Sequence, residues 1–133
     1  MQAQKKLRFQ GIISISALFL LLILLLAACG GGGDPAQTVE DYLQAKVTGD
    51  ADTIRALLCA EMEASLEREI QTFATVSGVE LEGMACTYDE AGGRVSCDGR
   101  IVALYGTEET EFPLTNYRVV QEDGEWKWCG ETN

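Results

Sequence analysis

The segment VELEGMACTYDEAGGRVSCDGRIVALY, residues 79–105, is where the sequence changes from helical to strand periodicity. Apolar and polar residues alternate over Val79–Asp89 and again over Arg94–Tyr105, and the turn residues Glu90–Gly93 separate the two runs. A period of two on both sides of a glycine-containing turn predicts an antiparallel β-hairpin. Gly83 interrupts the first run, which predicts a bulge or an edge position there.

Two more runs of the same kind, Thr110–Gln121 and Glu125–Gly130, follow the hairpin. The dipeptide Asp123-Gly124 lies between them and is typical of a two-residue hairpin turn. Pro113 also predicts a bulge or an edge position, because proline cannot donate a hydrogen bond to a neighbouring strand. The sequence therefore predicts four antiparallel strands.

Helical periodicity precedes these strands. Asp34 and Pro35 are typical of a helix start, with the aspartate as N-cap, and Gly49 is typical of a helix end. Asp50 predicts the N-cap of a short second helix. A third helix is predicted over residues 60–76, where apolar residues recur at helical spacing.

The charged residues of the third helix predict a solvated outer face. Helices that are followed by an antiparallel sheet predict the α+β class, in which the helices cover one face of the sheet. The charged residues of that face are Glu61, Glu63, Glu67, Arg68 and Glu69.

The N-terminus has the order of an export signal, since Lys5, Lys6 and Arg8 precede an uncharged apolar run, Ile12–Ala28. The run leads into LAACG, which resembles the bacterial lipobox. The resemblance implies cleavage before Cys29 and attachment of diacylglycerol to its thiol. The alternative is an uncleaved anchor helix with an incidental cysteine, because a largely apolar run of 17 residues lies near the lower limit for a membrane span.

The lipobox divides the chain into a signal peptide at 1–28, a lipidated cysteine with a glycine tether at 29–34, and a folded domain at 35–133. Without residues 1–28, 7 basic residues remain against 21 acidic ones, a net charge of −14. Nucleic acid and anionic lipid surfaces both need clustered positive charge on the protein. We therefore expect no nucleic-acid partner and expect membrane contact through the lipid on Cys29.

Four cysteines remain in the predicted domain, and an even number in an exported domain predicts two disulfides out of three possible pairings. The four-residue turn of the first hairpin places Cys86 opposite Cys97, which predicts that they are bonded. Elimination then pairs Cys59 with Cys129. Zinc is not expected, because the chain has no histidine and no closely spaced cysteine pair.

The second cysteine pair conflicts with strand alternation. Trp126 and Trp128 share one face of the last strand, so Cys129 is expected on the opposite face, away from Cys59 if the tryptophans face the helices. Gly130 follows at the end of the strand and can relax the alternation. We therefore keep the prediction that Cys59 is bonded to Cys129.

Two segments resemble lipoprotein domains of the cystatin-like, nuclear-transport-factor-2-like superfamily. They are TVEDYLQAKVTGDADTIRALLC at 38–59, where a helix ends at Gly-Asp before a short helix, and the closing hairpin VVQEDGEWKWCG at 119–130. The resemblance implies a cone in which N-terminal helices pack on a curved four-stranded antiparallel sheet. It also implies a pocket at the cone mouth.

Enzymes of this superfamily, such as ketosteroid isomerase and scytalone dehydratase, place acids, tyrosines or histidines inside the cone. The present chain has no histidine, so a tyrosine–carboxylate pair is the remaining catalytic possibility. None of the available side chains lies in a motif that matches those enzymes. The available side chains are Tyr42, Tyr88, Tyr105, Tyr117, Asp41 and Asp98.

These features predict a lipid-anchored, non-catalytic domain that faces outward from the cell membrane and binds a small ligand or a protein partner through the cone mouth. In a cell with two membranes, its place would be the outer membrane or the periplasmic face. The alternative is a small hydrolase or isomerase that uses a tyrosine–carboxylate pair in the pocket. No cofactor and no metal are expected. A carboxylate beside a tyrosine inside the pocket would favour the enzyme.

Overall fold

The computed structural model describes residues 32–133, so Cys29 and the predicted signal peptide lie outside the described residues. Its class is α+β, as predicted, with three α-helices before an open antiparallel sheet of five strands. Within the described residues no helix has the length and apolar character needed to cross a bilayer. The helices are α1 (Pro35–Thr48), α2 (Ala51–Leu57) and α3 (Leu66–Gln71), with a 3₁₀ helix (Ala60–Ser65) before α3. The strands are β1 (Ser77–Asp89), β2 (Arg94–Tyr105), β3 (Glu108–Pro113), β4 (Asn116–Glu122) and β5 (Glu125–Thr132).

The first helix begins and ends where the sequence predicts, and the second begins there. The Asp34 side chain accepts a hydrogen bond from the Ala36 amide at 2.9 Å and caps α1. Gly49 ends that helix in the left-handed conformation, at φ +73°. The Asp50 side chain caps α2 by accepting a hydrogen bond from the Thr53 amide.

The predicted third helix over residues 60–76 is wrong as one continuous element. The structure has the 3₁₀ helix, then α3, then turns. At the start of the segment, two amides that a helix would leave without an internal partner are bonded to the sheet. The Cys59 amide donates to the Trp128 carbonyl oxygen at 2.9 Å, and the Ala60 amide donates to the Glu122 carboxylate at 3.0 Å.

The sheet is built around β2. Strand β1 pairs with one edge of β2, whereas β3 and β4 share the other edge, and β5 pairs with β4. The prediction of a single strand over Thr110–Gln121 is therefore wrong, because the chain leaves the regular ladder at Leu114 and Thr115. The sheet has five strands instead of the four expected.

A change of register along β2 causes this division. Arg100 lies opposite Pro113, whereas Ser96 lies opposite Asn116. Three residues of β2 consequently face two residues of the neighbouring chain, which is the arrangement of a β-bulge. Pro113 ends β3 at the break, where its missing amide hydrogen costs no ladder bond.

Two glycines continue the irregularity across the sheet. The predicted bulge at Gly83 is confirmed by a register shift between Glu82 and Ala85. In the adjacent strand Gly99 has φ +103°, and a Cβ atom there would lie 2.6 Å from the Glu82 carbonyl oxygen. Only glycine fits this approach, and aligned bulges bend the strands along one line of the sheet.

Helix α1 packs its apolar stripe against the sheet. Its Val39 and Tyr42 are fully buried, and they belong to the same hydrophobic core as Val95 and Trp128 of the sheet. Burial of a large apolar side chain contributes about 1.5–3 kcal/mol to folding. This layer therefore positions the side chains of α1 relative to the sheet.

The structure contains both of the cysteine pairs expected from the sequence. Cys86 and Cys97 join β1 to β2, with Cα atoms 4.1 Å apart. The disulfide between Cys59 and Cys129 joins the segment that follows α2 to β5, with Cα atoms 5.3 Å apart. Trp128 and Cys129 are both buried, so the alternation of β5 is lost at its end.

Candidate functional site

A buried ion pair connects α1 to α3. The Lys46 ammonium donates to Glu69 Oε2 at 2.7 Å, and the Tyr42 hydroxyl donates to the same oxygen at 3.0 Å. The Arg68 guanidinium lies 3.8 Å from the other carboxylate oxygen. Because Glu69 is only 6 % exposed, these groups compensate for the water that its carboxylate lost on folding.

Glu69 is an exception to the predicted solvated face. It follows Leu66 by three positions and precedes Phe73 by four, so helical spacing places it with the apolar residues. Lys46 likewise follows Tyr42 by four positions on the apolar stripe of α1. Sequence reasoning missed the pair because charge was given more weight than spacing.

The environment of Tyr42 keeps its hydroxyl protonated. Burial raises the pKa of Tyr42 well above its usual value, and the nearby negative charge of Glu69 and the hydrogen bond to it act in the same direction. The positive charge of Arg68 lowers this pKa, with a smaller effect. Tyr42 is therefore a stable hydrogen-bond donor to Glu69.

Trp128 packs against Tyr42 and Lys46, two members of the cluster formed by Tyr42, Lys46, Arg68 and Glu69. Its ring stacks on Tyr42 with centroids 4.1 Å apart and planes 9° apart, and the Lys46 ammonium lies 5.8 Å from its ring centroid. Trp128 is 3 % exposed, and its Nε1–H finds no acceptor among residues 32–133. A buried donor without a partner is rare in folded proteins and calls for an explanation.

A cavity of about 200 Å³ borders Trp128 and Lys46. It lies between the helices and the sheet, and most of its lining side chains are aromatic or aliphatic. Five of the lining residues are aromatic, which gives the cavity flat apolar walls. The lining residues are Leu43, Lys46, Thr72, Phe73, Ile101, Tyr105, Phe112, Pro113, Leu114, Tyr117, Trp128 and Glu131.

Aromatic side chains also mark the opening of the cavity to solvent. Tyr105 is 48 % exposed and Phe112 is 39 % exposed, although both line the cavity. Their ring centroids lie 6.4 Å apart, and the Phe73 ring lies 6.2 Å from that of Phe112. Exposed apolar side chains that surround a concave site are typical of ligand-binding surfaces.

Tyr117 is a tyrosine of the cavity wall that is 3 % exposed. Burial raises the pKa of Tyr117 to about 12. A hydrogen bond with the Thr115 backbone lowers this pKa in part, and the negative charge of Glu131 raises it further. Tyr117 is therefore neutral near pH 7. Its ring lies 6.4 Å from that of Trp128.

The structure separates the tyrosines and acids considered from the sequence. Tyr105 and Tyr117 line the cavity, whereas Tyr88 packs on Trp126 at a centroid distance of 5.5 Å. Asp41 and Asp98 are both exposed. The fourth tyrosine, Tyr42, has the buried carboxylate of Glu69 as its partner, but neither of these two residues lines the cavity.

A second depression of about 370 Å³ lies beside the disulfide after α2, and it is more open to solvent. Two of its charged side chains, Glu122 and Lys127, are bound within the protein. Lys127 donates to the Ala56 carbonyl oxygen at 2.7 Å and to Glu125 at 2.9 Å, and Glu122 accepts from the Ala60 amide. The smaller cavity at Trp128 is therefore the better candidate site.

Comparisons of the chain with protein-family models, with curated proteins and with solved structures gave no match. Within residues 32–133, no three potential metal-ligating side chains lie together. The candidate site consequently rests on its own geometry: an apolar, aromatic-walled cavity whose lining also includes the polar side chains of Lys46, Tyr117 and Glu131.

Proposed function

We propose that this protein is a bacterial lipoprotein, anchored through lipid on Cys29, whose cystatin-like, nuclear-transport-factor-2-like domain binds a small, largely apolar molecule. The binding site is the cavity between the helices and the bent sheet. The protein faces outward from the cell membrane, or lies at the outer membrane or periplasmic face of a cell with two membranes. Binding in this proposal involves no chemical conversion of the ligand.

The observation that carries the proposal is the aromatic and aliphatic lining of the cavity with a few polar groups. Ligand sites are typically concave, mostly apolar and provided with a small number of polar groups. The volume of about 200 Å³ is below the usual range for drug-sized ligands, and an engineered apolar cavity of about 150 Å³ binds benzene. The site thus fits a compound with a single ring.

The position of the tether supports a ligand that arrives from outside. Gly32, three residues after the proposed lipid, lies beside Gly124 in the turn between β4 and β5. Strand register puts this turn beyond the Arg94 end of β2, whereas Tyr105 lies at the other end of that strand. The exposed aromatic side of the cavity is thereby directed away from the proposed membrane attachment.

The catalytic alternative has two supporting observations: the hydrogen bond between Tyr42 and Glu69, and the presence of Tyr117 and Glu131 on neighbouring strands in the cavity lining. The described residues show no hydrogen bond between the Tyr117 and Glu131 side chains, and burial raises the pKa of Tyr117 to about 12, which keeps it neutral. A general acid or base must come within hydrogen-bond reach of its substrate. Tyr42 is fully buried, Glu69 is nearly so, and the carboxylate is already bound to Lys46. We therefore assign the cluster to the support of the cavity wall and propose binding without catalysis.

The test uses the full chain in lipid nanodiscs and the single-ring compound 4-bromotoluene. A ligand that binds only the folded state raises the unfolding temperature as its concentration increases. We expect such a rise for the natural chain and none for the double variant Ile101→Phe/Leu114→Phe, which fills the cavity with larger side chains.

Leu104→Phe is the matched control, because Leu104 is 38 % exposed and does not line the cavity. This variant should respond to 4-bromotoluene like the natural chain. Equal responses in the natural and the filled proteins, or no response in either the natural chain or the control, would contradict the proposed function.

A further inference from the structure

We propose that the ligand of this cavity is a small aromatic amine, whose ring occupies the cavity and whose ammonium group binds the Glu131 carboxylate at the opening. This inference rests on the proposed function and specifies the ligand class. It makes Glu131 the residue that selects a positively charged ligand over a neutral or an anionic ligand of the same size.

Strand register directs Glu131 toward the cavity. Glu131 of β5 lies directly opposite Tyr117 of β4, and paired residues on neighbouring strands project from the same face of a sheet. Both residues belong to the lining of the cavity. The negative charge of Glu131 is also close enough to contribute to the raised pKa of Tyr117. The carboxylate therefore lies on the cavity face of the sheet.

Solvent exposure places Glu131 at the opening of the cavity. Glu131 is exposed, whereas Tyr117 beside it is only 3 % exposed. Moving an ammonium group from water into an apolar interior costs free energy, so the charged end of a ligand stays at the surface while its apolar end enters the cavity. An aromatic amine consequently binds with its ring among the buried side chains and its ammonium group beside Glu131.

The charge of Glu131 is not balanced within the described part of the chain, where no lysine or arginine forms an ion pair with it. The basic residue of the lining, Lys46, already donates to Glu69 at 2.7 Å. Arg68, which also approaches Glu69, is mostly exposed and does not line the cavity. Glu131 therefore gives the cavity lining a negative charge that a cationic ligand can balance.

The surroundings of the opening also favour a cation. Tyr105 and Phe112 expose aromatic rings there, and the π faces of such rings attract ammonium groups. The chain without its predicted signal peptide has 7 basic and 21 acidic residues, and a strongly negative protein raises the local concentration of cations. A ligand carboxylate meets repulsion from Glu131 and from this overall charge.

The experiment compares 4-bromobenzylamine, 4-bromobenzyl alcohol and 4-bromobenzoate, which share one ring but are positive, neutral and negative at neutral pH. The full chain carries Trp126→Phe, so that Trp128 is the single tryptophan left to be quenched by bromine. Nanodiscs of zwitterionic phosphatidylcholine keep the lipid from selecting a charge. At low salt we expect the amine to bind at least about threefold more tightly than the alcohol, as an exposed ion pair allows. Screening in about 0.5 M NaCl should reduce this preference.

Charge variants test the role of Glu131. Glu131→Gln should lower the affinity for the amine to that for the alcohol, and Glu131→Lys should make the benzoate the tightest of the three probes. Glu109→Gln is the matched control, because it removes the same charge at a position that lies opposite Leu104 and does not line the cavity. The control should keep the preference for the amine, and the affinity for the alcohol should be unchanged in every variant.

The outcomes separate the ligand class from the proposed function. Equal affinity for the amine and the alcohol, tighter binding of the benzoate, or equal loss of the preference in Glu131→Gln and Glu109→Gln would overturn the assignment to Glu131 and leave the proposed function intact. Loss of alcohol binding in Glu131→Gln would assign Glu131 to support of the cavity and would also overturn it. Absence of saturable quenching by these three probes and by 4-bromotoluene would refute the proposed function itself.

Discussion

Replacement of Lys46 by methionine should expose how strongly the buried carboxylate depends on its partner. Methionine keeps the apolar stem of the side chain but removes the ammonium, so Glu69 loses its 2.7 Å ion pair. The Tyr42 hydroxyl still donates to the carboxylate at 3.0 Å, and Arg68 lies within 3.8 Å. The variant thus isolates the cost of an incompletely compensated buried charge.

The expected loss of unfolding free energy follows from the burial of the pair. The Lys46 and Glu69 side chains are 14 % and 8 % exposed, and removal of one partner from a buried pair costs about 3–5 kcal/mol. The remaining contacts of Glu69 place the expected value at the lower end, about 3 kcal/mol. For a domain of this size such a loss lowers the unfolding temperature by about 12–24 °C.

The double variant Lys46→Met/Glu69→Gln should recover most of this loss, because it leaves no buried charge. The control Arg55→Met removes an exposed ion pair with Asp52, which contributes at most about 1 kcal/mol. Urea unfolding of the full chain in nanodiscs, followed by tryptophan fluorescence, measures all three variants. A loss below about 1 kcal/mol for Lys46→Met, or a double variant as unstable as the single one, would refute the reasoning.

Three further predictions concern the anchor, the bend of the sheet and alkaline pH. Cys29→Ala should yield an uncleaved precursor without acyl label, and normal processing with incorporated labelled palmitate would contradict lipidation. Gly99→Ala should lower the free energy of unfolding in urea by more than about 2 kcal/mol, because its Cβ would lie 2.6 Å from a backbone oxygen. Gly93→Ala is the control: the space around Gly93 is open, so the free energy of unfolding should fall by only about 1 kcal/mol. Equal losses in the two variants would count against the steric argument. Because the pKa of Tyr117 is higher in the folded state, its contribution to stability is fully present below the unfolded pKa of 10 and is lost as pH rises through about 12. Tyr117→Phe should therefore reduce the loss of stability between pH 10 and 12. An unchanged dependence of stability on pH would contradict this prediction.

Local signals in the sequence were sufficient for much of the fold. The N-caps Asp34 and Asp50, the stop at Gly49 and the turn at Asp123-Gly124 depend on neighbouring residues in the chain, and all appear where predicted. The facing positions of Cys86 and Cys97 follow in the same way from the length of one turn. Such features depend little on the rest of the molecule.

Contacts between distant segments explain what the sequence did not reveal. The amides of Cys59 and Ala60 bind strands more than sixty residues away, so long-range contacts that no local pattern shows hold the start of the predicted third helix against the sheet. The division of the predicted third strand falls at Pro113, where the sequence predicts a bulge or an edge position, but the change of register along β2 does not follow from that residue alone. Glu69 is the clearest case for the site, because its burial requires Lys46 and Tyr42 from a different helix.

The most direct test of the central claim is quenching of Trp128 fluorescence by 4-bromotoluene in the full-length Trp126→Phe protein. Bromine quenches an indole that it contacts, and Trp128 lines the proposed site. Binding in the cavity predicts saturable quenching that is lost when Ile101→Phe and Leu114→Phe are added and kept when Leu104→Phe is added instead. Quenching that rises without saturation, or that is equal in the filled and control proteins, would contradict ligand binding in this cavity.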